Sequence, residues 1–83
     1  MKLSKYTKFR EEKFGGVLFE TRSEKVFTLN PTAAALVSEI GTGADEQGII
    51  ERLKSRFDDH DGAIEREAIE FIAELKQKGL IED

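Results

Sequence analysis

The chain contains no cysteine, which excludes disulfides, thiolate metal centres and cysteine nucleophiles and fits a cytoplasmic setting. Histidine occurs once, at His60, too little for a zinc site without further ligands. No apolar run approaches the ~20 residues that a membrane span needs, so no membrane association is expected. The N-terminal lysines are not followed by the apolar core of a secretory signal. Neither a GxGxxG fingerprint nor a P-loop occurs, so no phosphate cradle is implied. Gly15-Gly16 accordingly reads as turn or bulge chemistry rather than backbone bared for a ligand. The run Asp58-Asp59-His60-Asp61-Gly62 invites a calcium-loop reading, with Gly62 as its glycine. The first and twelfth ligands would then be Phe57 and Ala68, and neither can coordinate the ion. An acidic turn ahead of the positive end of a helix is the better reading. No group of residues joins nucleophile, base and acid, so neither catalysis nor a cofactor is expected.

What is present is a charged, moderately hydrophobic chain of 83 residues, 36% charged and 39% hydrophobic. That length suits one small domain, residues 1–83, with one core. The net charge of −4 is unevenly spread: residues 1–13 carry +3, through Lys2, Lys5, Lys8, Arg10 and Lys13, and the other seventy carry −7. Such a basic arm either steers an acidic partner or is a solvated, frayed end.

The organising stretch is Phe14 to Gly41. Val17–Thr21 is β-branched and aromatic, and Lys25–Leu29 alternates, with Arg22, Ser23 and Glu24 as a hairpin connection between them. A weaker first strand is expected at about 7–13. Asn30 stands at a helix N-cap and Pro31 at the first helical position, where its missing N–H costs nothing. A first helix over 31–40 presents Ala33, Leu36, Val37 and Ile40, and Gly41 is expected to close it with a left-handed cap. Thr42 and Asp45 are spaced as a partial capping box. A second helix over 45–57 presents Ile49, Ile50, Leu53 and Phe57, with Gly48 inside it at some cost. A third, over 63–78, places Ile64, Ala68, Phe71 and Leu75 within roughly 60° of one another, with Ile72 beside them. Ile69 lies about 120° from that stripe, bordered by Glu65, Ala73 and Lys76, and could line a groove. Gly79 ends the helix, and Leu80 and Ile81 return to the core. Three strands followed by three helices predict a small α+β domain of winged helix-turn-helix type, a three-stranded antiparallel sheet with three helices.

The residues REEKFGGVLF at 10–19, VFTLNPTAA at 26–34, TGAD ahead of the IIERL helix, and KGLIE at 78–82 resemble the PqqD-like domains, or RiPP recognition elements. The FGG segment is also similar to that of the mycofactocin-system chaperone. The resemblance implies a non-catalytic peptide chaperone. Such a domain binds the leader segment of a ribosomally made precursor peptide and presents it to a modifying enzyme, typically a radical S-adenosylmethionine maturase. In such domains the leader adds as a strand beside the third strand and the third helix. Carried onto this chain, Lys25, Val26, Phe27, Thr28 and Leu29 supply the edge, and Glu65, Ile69, Ile72, Ala73 and Lys76 the opposite wall. Arg66 and Lys76 would pair with leader carboxylates, and Ile69→Glu would abolish binding. Two other functions remain open. A winged helix can bind DNA, but residues 63–78 carry Arg66, Lys76 and Lys78 against Glu65, Glu67, Glu70 and Glu74, a poor match to phosphate. An open edge can also pair with a second copy, so monomer and homodimer are both allowed.

Overall fold

The computed structural model describes residues 1–57 and 60–82. Asp58 and Asp59 of the expected acidic turn lie outside the described residues. Strand β1 (Lys2–Leu3) precedes a meander of β2 (Thr7–Glu12), β3 (Gly15–Glu20) and β4 (Lys25–Leu29). Helices α1 (Pro31–Ile40), α2 (Glu46–Arg56) and α3 (Ala63–Gln77) follow, with a 3-10 turn at His60–Gly62 ahead of α3 and strand β5 (Ile81–Glu82) after it. The three-stranded antiparallel sheet, ordered β2-β3-β4, together with three helices, gives the α+β arrangement. Among the described residues no helix is long and apolar enough to cross a membrane.

The register makes the sheet two-faced. Phe9, Leu18 and Phe27 stand opposite one another across the strands and point into the core, where Leu18 is wholly buried. Their neighbours Lys8, Phe19 and Val26, and Arg10, Val17 and Thr28, form the outer face, as period-two alternation requires. Helix α1 packs across β3, so that Leu36, Val37 and Ile40 meet Ile49 and Leu53 of α2 and Ile72 and Leu75 of α3 in one cluster.

The glycine pair does not itself make the turn, which Lys13 and Phe14 form between β2 and β3. Both residues belong to β3, and Gly15 has φ 143°. A Cβ on Gly15 would fall 2.2 Å from the Leu29 carbonyl oxygen, and one on Gly16 would fall 2.7 Å from Phe9 Cε1 and 3.2 Å from Ala34 Cβ. The pair is therefore required for the start of β3 to press against the β4–α1 junction. The same strand ends at Glu20, which is buried and caps the following turn. The Ser23 hydroxyl donates to Glu20 Oε2 at 2.5 Å and the Ser23 amide at 2.8 Å, while the Arg22 amide and Nε donate to Oε1 at 3.2 Å. The Ser23 hydroxyl foremost, with the Ser23 amide and the Arg22 amide and guanidinium, holds the Glu20 pKa down from 4.5 to about 2, against the opposing effect of burial.

At the strand-to-helix junction Asn30 Oδ1 accepts the Ala33 N–H at 2.8 Å, with Pro31 at the first helical position. Two caps differ from expectation. Gly41 keeps right-handed geometry (φ −62°, ψ −20°), and the left-handed residue is Gly43 (φ 84°). Thr42 bonds back to the Glu39 carbonyl at 2.7 Å, so the chain takes a further turn before reversing. Asp45 is itself the N-cap of α2, accepting the Gly48 N–H at 2.8 Å, rather than the fourth residue of a box begun by Thr42. Helix α3 ends in a Schellman pair, Leu80 N–H to Leu75 O at 2.9 Å and Gly79 N–H to Lys76 O at 3.1 Å, with Gly79 at φ 73°.

The basic N-terminus is not a free arm along its whole length. Lys2 pairs with Glu82 and Leu3 with Ile81 in an antiparallel ribbon of β1 and β5, and the Ser4 N–H donates to Leu80 O at 2.9 Å. Two-residue strands carry no periodicity, so only the fold brings these ends together.

Candidate functional site

Strand β4 has a neighbour on one side only, leaving its outer backbone groups without a strand partner. Beside that edge, two adjoining hollows lie between the sheet and α3. The first, about 220 Å³, has Phe27, Thr28 and Leu29 on the sheet side, Phe71, Glu74, Leu75 and Lys78 on α3, and Leu18 and Leu80 below. The second, about 250 Å³, continues past the end of β4, where the cap residue Asn30, Thr32, Ala33 and Leu36 of α1, and Leu53 of α2 face Glu67, Ala68, Glu70, Phe71 and Glu74 of α3. Phe71 and Glu74 line both, so the hollows form one groove with Phe71 at its middle. Each exceeds the roughly 150 Å³ that holds a benzene molecule in an engineered apolar cavity, room for a large side chain from a bound segment.

Along the groove β4 runs antiparallel to α3, with Phe27 beside Lys78 and Asn30 beside Glu67 and Glu70. Lys78, at the helix's C-terminal end, lies over the Phe27 ring with Nζ 5.9 Å from the centroid, and also reaches Glu74 Oε1 at 3.6 Å. At the other end Glu67 and Glu70 overlook the start of α1. An extended segment laid along β4 would thus place alternate side chains into the groove and the others toward solvent.

Of the residues expected to bind, Lys25, Val26 and Thr28 are exposed, Phe27 is half-buried and Leu29 is buried. Phe27, Thr28 and Leu29 line the groove. The residues expected as the helical wall lie away from the two hollows. Ile72 is 1% exposed and belongs to the core, so it offers no surface to a ligand. Ile69 is 47% exposed, and Ala73 and Lys76 are exposed. Glu65 faces α2 through Lys54 at 3.8 Å, and Arg66 turns back to donate to the Asp61 carbonyl at 2.8 Å. None of these six lines either hollow.

The cause is the rotational phase of α3. Its buried stripe is Ile64, Ala68, Ile72 and Leu75, centred on one side of the stripe drawn through Phe71. That rotation moves Phe71 out of the core onto the shoulder facing β4. Ile69, two residues away and so about 160° around the helix at 100° per residue, then falls on the far side. The groove residues Glu67, Glu70, Phe71, Glu74 and Lys78 do carry a legible signal, a row at three- and four-residue spacing on one helix face. An aromatic in that row reads as core unless the packing is known.

The family model for coenzyme PQQ synthesis protein D (PqqD) matches residues 15–81. No curated protein sequence matches the chain. Among solved structures, TbiB1 in complex with the TbiA(beta) leader peptide superposes with a TM-score of 0.86 at 21% identity, over 99% of this chain and 95% of that one. Lasso peptide synthetase B1 complexed with the leader peptide superposes with a TM-score of 0.80 at 25% identity, over 95% and 93% respectively.

Proposed function

The chain belongs to the PqqD family, and from that premise we propose that it is a non-catalytic RiPP recognition element. In this reading residues 1–83 form one domain that binds the leader segment of a precursor peptide and presents it to a modifying enzyme. The observation that carries the reading is the unpaired edge of β4 running directly beside an apolar groove on α3. Backbone hydrogen bonds along the edge supply affinity that any extended segment can use. The groove supplies selectivity, through Phe27, Phe71, Leu75 and Leu80. Two structures of the same fold hold leader peptides, which supports the peptide over other extended ligands.

The added strand contacts Lys25–Leu29 on one side. On the other it meets Phe71, Glu74, Leu75 and Lys78, in place of Glu65, Arg66, Ile69, Ile72, Ala73 and Lys76. The partner enzyme is a peptide maturase of the radical S-adenosylmethionine type, and its cofactors belong to it. Under this reading the winged helix-turn-helix character serves peptide capture rather than DNA binding, because α3 presents carboxylates to the groove.

The test is a backbone-amide titration of isotope-labelled protein with the leader of a peptide encoded beside its gene. Shifts concentrated in residues 25–29 and in 67–78 on the Phe71 side are expected. Unmoved β4 amides, with shifts in α3 on adding duplex DNA, would overturn the reading.

A further inference from the structure

The second hollow is lined by three carboxylates, those of Glu67, Glu70 and Glu74, and by no lysine or arginine. Glu74 is engaged by Lys78, whereas among the described residues Glu67 and Glu70 enter no ion pair. Of the cations nearest them in sequence, Arg66 turns back to the Asp61 carbonyl, Lys78 pairs with Glu74, and Lys76 lines neither hollow. At the start of α1 Pro31 has no N–H and that of Ala33 is taken by Asn30, so of that first turn only the Thr32 N–H is left to face them. At the opposite end Lys78 lies over Phe27 and is balanced by Glu74, so the positive charge there is that of the exposed Lys25 at the start of β4. The apolar floor is thus flanked by negative charge at the α1 end and by positive charge at the other.

Resting on the strand-addition reading above, we infer that the groove takes a peptide segment of defined charge order. The segment carries an apolar side chain over Phe71, Lys or Arg where it passes Glu67 and Glu70, and neutral or acidic residues where it passes Lys25. Antiparallel pairing, the more stable ladder per residue, lays the segment parallel to α3. The basic residues then precede the apolar anchor in the peptide sequence. Charge complementarity of this kind sets register and excludes the reversed segment, because like charges brought together at a groove are disfavoured.

The experiment is selection of a randomised display library of extended peptides on the wild-type protein and on the E67K/E70K double variant. Both substituted positions are exposed, and circular dichroism and denaturant midpoints establish that the variant is folded. Wild type should enrich segments with Lys or Arg ahead of an apolar residue. Synthesised winners should bind about tenfold more tightly than versions with Glu at those positions, the scale of two partly exposed charge contacts, and the gap should narrow as salt rises. The double variant should enrich the opposite charge. Winners that shift the β4 amides but show no charge order, or an acidic one, overturn this inference and leave the groove reading intact. If winners bind without moving β4, or none emerges, strand addition itself fails and the inference falls with it.

Discussion

The phase of α3 can be tested by two neighbouring residues. Ile72 is 1% exposed within the core, so Ile72→Ala should cost about 2–5 kcal/mol of stability. For a chain of 83 residues, total stability is about 4–12 kcal/mol, so this one change removes a large share of it. Phe71 is only half-buried and borders open groove on two sides. A fully buried Phe→Ala costs about 3–5 kcal/mol, through lost transfer energy and the cavity left behind. At half burial the transfer loss is roughly halved and a groove already open to water leaves no closed cavity, so about 1–2 kcal/mol is expected. Binding should behave the other way round. Phe71→Ala should weaken leader affinity at least tenfold, whereas Ile69→Glu, on the far side of the helix, should leave it within about threefold. Urea unfolding gives the first pair of numbers, and fluorescence anisotropy of a labelled leader, read where each variant is folded, gives the second. The placement of the groove is refuted if Phe71→Ala costs as much stability as Ile72→Ala while binding survives. It is equally refuted if Ile69→Glu alone abolishes binding.

Gly15→Ala sets a Cβ 2.2 Å from the Leu29 carbonyl oxygen at φ 143°; backbone strain together with that clash should cost at least about 3 kcal/mol in a denaturant titration. Asn30→Ala removes the acceptor of the Ala33 N–H and should cost about 1 kcal/mol, with Asn30→Ser recovering most of it. Glu20 should shape the acid limb of stability. Its folded pKa of about 2 lies below the ordinary 4.5, so the folded state favours the carboxylate. The contribution is complete above pH 4.5 and is lost as pH falls through about 2. Glu20→Gln should therefore flatten the wild-type decline between those values in pH-dependent thermal melts, and an unchanged acid limb would show that the turn network does not hold the carboxylate ionised.

Local chemistry made much of this protein legible from its residues. Asn30-Pro31 must be a helix entrance, because one side chain supplies the cap and the next residue lacks the N–H that would need it. The alternation of Lys25–Leu29 and the three apolar helical stripes are enough to give an α+β domain, whereas an edge strand beside the third helix was implied only by the family resemblance. What the residues alone could not decide is how each stripe is turned against its neighbours. Phe71 and Ile72 are adjacent, both apolar, and either completes a stripe with Ile64, Ala68 and Leu75; a helix on its own is satisfied by both. The choice is made by the space left between β4, α1 and α2, which admits Ile72 completely and leaves Phe71 on the rim. The same holds for Gly15 and Gly16, whose need for a bare backbone comes from Leu29 and Ala34, distant in sequence, and for β1 and β5, which are strands only because the fold lays them side by side. Periodicity depends on bonds between near neighbours and survives in the sequence. Phase, close approach and the pairing of distant ends depend on contacts that exist only after the chain has folded.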